Sequence, residues 1–232
     1  MSFINDLTSE VSKIFKTTWQ KRDGQVVPEA EDVKLDNDAV QLDGTVLYAD
    51  LAESTNLVML KTNEFAAEVY KSYLVCASRI IKENGGFITA FDGDRVMGVF
   101  IGNRKNSSAA IAALQINYAV TYIINPQIKE VYKTSTFVLS QSVGIDTSKL
   151  FIAKTGVRGA NDLVWVGRSA NYAAKLCSLR EGSFTSFITS DVFAALAEDA
   201  KFGGDPKQVM WEQSYWADQK LMIYRSSWWK KP

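Results

Sequence analysis

The chain contains no histidine among its 232 residues. That absence removes His-ligated zinc, the Ser-His-Asp triad and any imidazole general base. Cysteine is almost as scarce. Cys76 and Cys177 stand alone in stretches of helical periodicity, without metal-ligand spacing, and read as buried reduced thiols. Net charge is missing too: lysine plus arginine total 26, as do aspartate plus glutamate. No global field gathers nucleic acid, and a basic nucleic-acid binder is disfavoured. The most apolar region, 109–124, is interrupted by Gln115, Asn117 and Thr121; it is too short and too polar to span a bilayer and reads as a core helix. No secretory signal, internal repeat or low-complexity segment is legible, so a cytoplasmic location is expected. With imidazole and thiolate ligands excluded, carboxylate-bound Mg²⁺ or Mn²⁺ is the metal chemistry left open.

Hydrophobic residues make up 47% of the chain, enough for one substantial domain and too little for two comfortable ones. Residues 1–16 place Phe3, Ile4, Leu7, Val11, Ile14 and Phe15 at helical spacing with charges between them. This predicts an amphipathic helix that docks on the domain or on a partner subunit; its polar face is too mixed in sign to favour a membrane surface. The polar stretch 21–43 reads as a connector, so 1–43 forms a helix and connector and 44–232 the principal domain. There the pattern predicts a strand at 45–49, a helical stretch at 56–84, a hairpin turning at Asp92-Gly93, a helix at about 107–124 and a strand at 137–145. A second hairpin pairs 150–155 with 163–166. A helix at 169–179, a strand at 184–189, a short helix at 191–198 and a last strand ending at 221–224 complete it. Helices alternating with hairpins predict an α+β fold, a mixed β-sheet with helices packed mainly on one face.

The chemistry concentrates at two strand ends. Val46 to Ala49 is a short β-prone run that delivers Asp50 to the end of a buried strand. Ser54 and Thr55 then offer N-cap chemistry for the following helix. A carboxylate beside a helix N-terminus suits a cation carrying a phosphate, the free N–H groups taking the phosphate oxygens. Asp92-Gly93-Asp94 sits at a tight hairpin and supplies a second strand-end carboxylate. Taken singly, each is equally good as a cap or turn residue. Together they point to a two-metal site.

Three blocks in order resemble the class III nucleotidyl cyclase domain across roughly Gly44 to Tyr224. Leu47-Tyr48-Ala49-Asp50-Leu51-Ala52-Glu53-Ser54-Thr55 is similar to the family's first metal motif, and Gly93-Asp94 with Val96-Met97-Gly98-Val99-Phe100 to its second. Val143-Gly144-Ile145-Asp146-Thr147, followed by Trp165-Val166-Gly167-Arg168-Ser169-Ala170-Asn171-Tyr172-Ala173-Ala174-Lys175-Leu176, resembles the third. The resemblance implies a ferredoxin-like fold and a head-to-tail homodimer with two shared active sites. It implies two Mn²⁺ or Mg²⁺ ions per site on Asp50 and Asp94, with the Leu51 carbonyl completing one of them. The N–H groups of Leu51, Ala52, Glu53, Ser54 and Thr55 would cradle the triphosphate, and Asn171 would hold the ribose from the partner subunit.

The departures from the family pattern are informative. Lys175 stands where arginine is usual; it keeps the charge without the planar fork. Lys220 is a candidate for the phosphate-binding lysine near the C-terminus. Glu53 replaces a common glycine. The two base-reading positions align with Ala90 and Val164, and neither side chain can hydrogen-bond a base edge, so purine reading through a polar pair is lost. Tyr48 and Arg95 flank the strand ends and could supply bulk or a donor to a smaller base. In this the chain resembles the bacterial pyrimidine cyclases of Pycsar antiphage systems. That resemblance implies cyclisation of UTP, favoured slightly over CTP, to a messenger that activates a neighbouring effector. Three alternatives are an adenylate cyclase with Ala90 and Val164 in its core, a degenerate nucleotide-binding module, and a cyclic-dinucleotide synthase whose signature Gly93-Asp94-Arg95-Val96 lacks. An RNA-recognition module would need exposed aromatics on a basic sheet face, and neither is evident.

Overall fold

Buried and open residues alternate along several segments of this chain, and the strands follow. In a computed structural model, which describes residues 2–232, the elements in chain order are as follows. The helix α1 (Phe3–Lys16) precedes β1 (Gln20–Asp23) and β2 (Asp38–Leu51). Next come α2 (Ser54–Leu60), α3 (Asn63–Glu83), β3 (Phe87–Asp92), β4 (Arg95–Phe100), α4 (Lys105–Ala119) and α5 (Asn125–Val131). The long strand β5 (Gln141–Val157) leads to β6 (Ala160–Val166), α6 (Arg168–Leu176) and β7 (Ser186–Thr189). Last are α7 (Ser190–Ala194), α8 (Glu198–Lys201), β8 (Phe202–Gly203), β9 (Gln208–Val209), β10 (Glu212–Trp216) and β11 (Leu221–Ser226). Two compact units result: residues up to 43 with 149–167, and residues 44–148 with 168–232.

In the first unit, Ser2 caps α1 by accepting from the Asn5 N–H. The helix keeps its predicted apolar stripe, but none of its residues is buried; Phe3 is 75% and Phe15 85% exposed. The apolar stripe expected to dock on the domain or on a partner subunit is thus open along the helix. The helix is held at its C-terminal end, where Asn37 Nδ2 donates to the Ile14 and Thr17 carbonyls at 2.8 and 2.7 Å. The stretch read as a connector contains β1, which pairs in parallel with the start of β2 from Gln20↔Asp38 to Asp23↔Gln41. Arg22 and Asp38 form an ion pair at 2.7 Å in this ladder. The expected second hairpin is present: β5 and β6 pair antiparallel from Phe151↔Val166 to Val157↔Ala160.

In the second unit, the strand order β10-β11-β7-β5-β2-β4-β3 contains the sequence β5-β2-β4-β3. This is the order of a ferredoxin-like βαββαβ core. The β2–β4, β3–β4, β7–β11 and β10–β11 ladders are antiparallel and β5–β7 is parallel, so the sheet is mixed as expected. Side chains alternate across the sheet. Leu47, Ala49, Leu51, Val143 and Ile145 join the main core with Val69, Tyr73 and Ile81 of α3 and the alanines of α4. The intervening Gly144 faces α6. A Cβ on Gly144 would come within 2.2 Å of the Ala173 carbonyl and 2.4 Å of the Cys177 nitrogen. Helices therefore cover both faces, because this glycine lets α6 lie directly on β5.

Several local boundaries differ from the sequence reading. The strands expected at 137–145 and 150–155 are one strand, β5, and the short helix expected at 191–198 is the pair α7 and α8. The predicted helix at 56–84 is two helices, broken where Thr62 caps α3 by accepting from the Phe65 N–H. Residues 137–140 precede the strand, and Asn125 bonds both ways with Leu139 there. The core helix extends further than expected, because a π turn at Val120–Ile124 carries α4 into α5. The helical run Lys105–Val131 spans 27 residues and is long and apolar enough to cross a membrane, with a mean hydropathy of 1.3 in its most apolar window. Of that window 61% is buried inside the protein, which is the behaviour of a core helix.

The close seating of α6 gives one prediction. Gly144→Ala should destabilise the second unit by about 1–3 kcal/mol, because backbone atoms rather than a movable side chain block the methyl. Thermal denaturation should show Tm lowered by roughly 2–4 °C for each kcal/mol. An unchanged Tm would mean that α6 can lift from β5 freely.

Candidate active site

The β2–β4 register fixes the geometry of the two carboxylates. Asp50 pairs with Arg95 across the ladder, so Asp94 lies beside the partner position of Asp50. Leu51 and Ala49 point into the main core, which turns Tyr48 and Asp50 to the face carrying α6. The Asp50 side chain is only 18% exposed. Burial foremost, then the negative charge of Asp94, raises its pKa above the ordinary carboxylate value, against the lowering influence of Arg180 and Arg95. Asp94 keeps one carboxylate oxygen, Oδ2, buried and without a hydrogen-bond partner. An orphaned carboxylate oxygen beside a second, mutually repelling carboxylate is a donor set that suits a hard divalent cation. Among the described residues no three His, Cys, Asp or Glu side chains cluster as a metal cage. Two carboxylates and a backbone carbonyl would leave the remaining positions to water and phosphate oxygens, the usual manner of Mg²⁺ binding.

Arg95 is occupied within this corner. Its guanidinium pairs with Asp92 at 2.6 Å and lies over the Tyr48 ring, 5.3 Å from the centroid. Burial pushes the Tyr48 hydroxyl pKa up, so the ring offers a neutral O–H. Ala90 lies on β3, half-buried, opposite Met97. Val164 lies on β6 in the other unit and is 39% exposed. Neither is a sealed core residue.

The segment after β2 departs from the expected capping. Glu53, rather than Ser54 or Thr55, occupies the N-cap position of α2, at φ 59. A non-glycine residue pays on the order of 1 kcal/mol for this left-handed conformation, which explains why the family pattern has glycine there. Ser54 and Thr55 lie in the first helical turn, whose N–H groups have no partner within the helix. The Ala52 N–H is already used, donating to the Ser140 carbonyl at 3.0 Å. It is therefore removed from the expected phosphate cradle.

Helix α6 buries Ser169, Ala170, Ala173 and Leu176 and turns Asn171 and Lys175, one turn apart, to solvent. Its start is locked to the sheet. Fully buried Asp146 accepts from Arg168 Nε at 3.0 Å and from Thr189 Oγ1 at 2.6 Å, while Arg168 also pairs with Asp191 at 2.5 Å. Ser148 accepts from the Ser169 N–H at 3.0 Å. Lys220 is exposed at φ 53, in the turn between β10 and β11.

Two residues here carry no signal that singles them out in the sequence. Arg180, in the turn after α6, places Nη2 3.2 Å from Asp50 Oδ2. A lone arginine past a helix end carries no sequence signal for that contact. Tyr73 is fully buried and donates to Gln141 at 3.5 Å; its spacing with Val69 and Ala77 on α3 would have placed it in the buried stripe. Cys177 was read as a buried thiol and is one, with its pKa pushed up to about 12 by burial first and by Asp50 second. An apolar cleft of about 330 Å³ lined by Phe65, Val69, Cys76, Ile124, Ile128 and Tyr132 shares none of these site residues.

No protein-family model matches the chain. Curated proteins named uridylate cyclase do match it. It is 49% identical to the one from Xanthomonas perforans, over 98% of both chains. It is 48% identical to that of Burkholderia cepacia, again over 98% of both, and 41% identical to that of Rhodovulum sp. (strain MB263), over 100% of this chain and 99% of the relative. Among solved structures, the guanylyl cyclase Cya2 superposes with a TM-score of 0.67 at 19% identity, covering 83% of this chain and 95% of that one. The adenylyl cyclase CyaB from P. aeruginosa gives 0.65 at 21% identity, covering 81% and 95%. The fold is that of the class III cyclases, and with three relatives at 41–49% identity along nearly the whole chain, this protein belongs to the uridylate cyclases and is a nucleotidyl cyclase.

Proposed function

We propose that the protein converts UTP to 3′,5′-cyclic UMP and pyrophosphate in the cytoplasm, the product being a second messenger for an effector in bacterial antiphage defence. The observation that carries the catalytic reading is the Asp50–Asp94 pair, two carboxylates at neighbouring strand ends with one buried oxygen unpartnered. In the reaction the ribose O3′ bonds to the α-phosphorus, the bond to pyrophosphate breaks, and the hydroxyl proton passes to solvent. Two Mn²⁺ or Mg²⁺ ions per site, held by Asp50, Asp94 and the Leu51 carbonyl, would acidify the 3′-hydroxyl and neutralise the departing phosphates.

The chain's own residues do the rest. Asn171 orients the ribose and Lys175 offsets charge growing on the α-phosphate. Both point away from their own core, which favours action on a partner's nucleotide in a head-to-tail homodimer. The exposed apolar stripe of α1 is a further surface for that partner. The N–H groups of Leu51 and Glu53 to Thr55, with Lys220, receive the triphosphate. At Ala90 and Val164 no side chain reads a purine edge, leaving Tyr48 and Arg95 to fill space beside a smaller base. The uridylate cyclase relatives weight UTP over CTP. Adenylate cyclase activity is the second reading, since the shared fold does not by itself separate one base from another.

Purified protein incubated with Mn²⁺ or Mg²⁺ and each of ATP, GTP, CTP and UTP should yield cyclic UMP by mass. Cyclic AMP would keep the mechanism and sink the pocket reading, and no product from any nucleotide would favour a binding module. Asp50→Ala or Asp94→Ala should reduce turnover at least ~10³-fold while leaving Tm close to wild type, since losing a carboxylate also relieves repulsion. Metal-dependent turnover surviving in both variants would refute the two-metal assignment. Lys175→Ala should lower kcat by roughly 10²-fold with little change in KM, the pattern of a contact made in the transition state. A loss confined to KM would make it a ground-state phosphate contact.

A further inference from the structure

The Arg180 guanidinium is held on two sides. Its Nη1 donates to the Cys177 carbonyl at 2.7 Å and the Leu179 carbonyl at 2.8 Å, both in the turn that ends α6. Nη2 faces Asp50 Oδ2 at 3.2 Å. The side chain is 40% exposed, so it can turn outward without disturbing the core. Charges at this corner are otherwise unbalanced. Arg95 is committed to Asp92, and Asp94 Oδ2 has no partner. Arg180 is therefore the cation in direct contact with Asp50, while Arg95 acts on that carboxylate without pairing with it.

We infer that Arg180 is a positioning residue that stands in for the divalent cation at Asp50 and yields that carboxylate when the metal–nucleotide complex arrives. The inference rests on the two-metal reading above. A guanidinium on Asp50 Oδ2 and a divalent ion bound through that carboxylate compete for the same negative charge. In the nucleotide-free protein Arg180 weakens the metal site. A nucleoside triphosphate brings enough negative charge to reverse the balance: the ion gains phosphate oxygens and the released guanidinium faces a phosphate instead of Asp50. Metal binding is thereby coupled to triphosphate binding through one side chain, as any competition for a shared ligand requires. The planar fork allows this exchange, with one edge on the backbone carbonyls and the other free to change partner.

The test is Mn²⁺ binding to the nucleotide-free protein, followed by the electron paramagnetic resonance signal of the free ion. Arg180→Gln keeps a donor for the backbone carbonyls and removes the charge. It should bind Mn²⁺ roughly five- to tenfold more tightly than wild type, the scale of one solvent-screened unit charge at contact. Arg180→Lys, which retains the charge, should restore wild-type affinity. With a non-cyclising UTP analogue present, the Mn²⁺ affinities of wild type and Arg180→Gln should converge, while the KM for UTP rises in the Gln variant. Unchanged or weaker nucleotide-free Mn²⁺ binding in Arg180→Gln overturns the inference, as does Arg180→Lys behaving like Gln. The two-metal reading is judged separately by Asp50→Asn with the analogue present, where retained Mn²⁺ binding would remove that reading.

Discussion

Two carboxylates set at the same end of neighbouring strands repel one another, and the candidate active-site corner is arranged around that repulsion. The β2–β4 ladder imposes it by pairing Asp50 with the residue after Asp94. Burial sharpens it, because a half-dry site screens charge less than water does. The surroundings answer with cations held under tension of choice: Arg95 is spent on Asp92 and the Tyr48 ring, while Arg180 reaches Asp50 from the turn after α6. A nucleotidyl cyclase gains from such an arrangement, since an unrelieved pair of carboxylates is a ready acceptor for positive charge.

The second organising feature is the rigid seat of α6. Gly144 removes the side chain that would separate helix from strand. Asp146, dry and fully occupied by Arg168 and Thr189, ties the helix start to β5 and β7. A buried carboxylate with its partners in place is costly to disturb, because losing any one leaves a charge without solvent. The outward residues Asn171 and Lys175 thus stand on a helix whose inner face has little freedom.

Much of this was legible in the sequence where local chemistry decides the outcome. Asp92-Gly93 gave its hairpin, with Gly93 at φ 61, and the alternation through 150–166 gave the other. The motif order around Asp50, Asp94 and Asn171 led to the class III fold. What was missed depends partly on helix caps and partly on tertiary contacts. The break between α2 and α3 at Thr62 interrupts a periodicity that reads as one helix. The cap at Glu53 depends on a left-handed backbone that glutamate does not advertise. The Ala52 N–H is claimed by Ser140, far along the chain. Arg180 meets Asp50 across 130 residues, a distance no spacing rule spans. The N-terminal stripe is amphipathic as its spacing predicts, and it stays exposed along α1.

Cys177 shows a further side of this electrostatic design. Thiol reactivity belongs to the thiolate, and a pKa near 12 in a fully buried side chain leaves almost none of it at neutral pH. Burial foremost, with the negative field of Asp50 second, holds this neighbouring sulfur in its protonated form. Oxidation to a sulfenic acid and alkylation by electrophiles both proceed through that thiolate, so both are slowed. The corner thus sets two carboxylates suited to a cation beside a thiol kept unreactive chiefly by its burial.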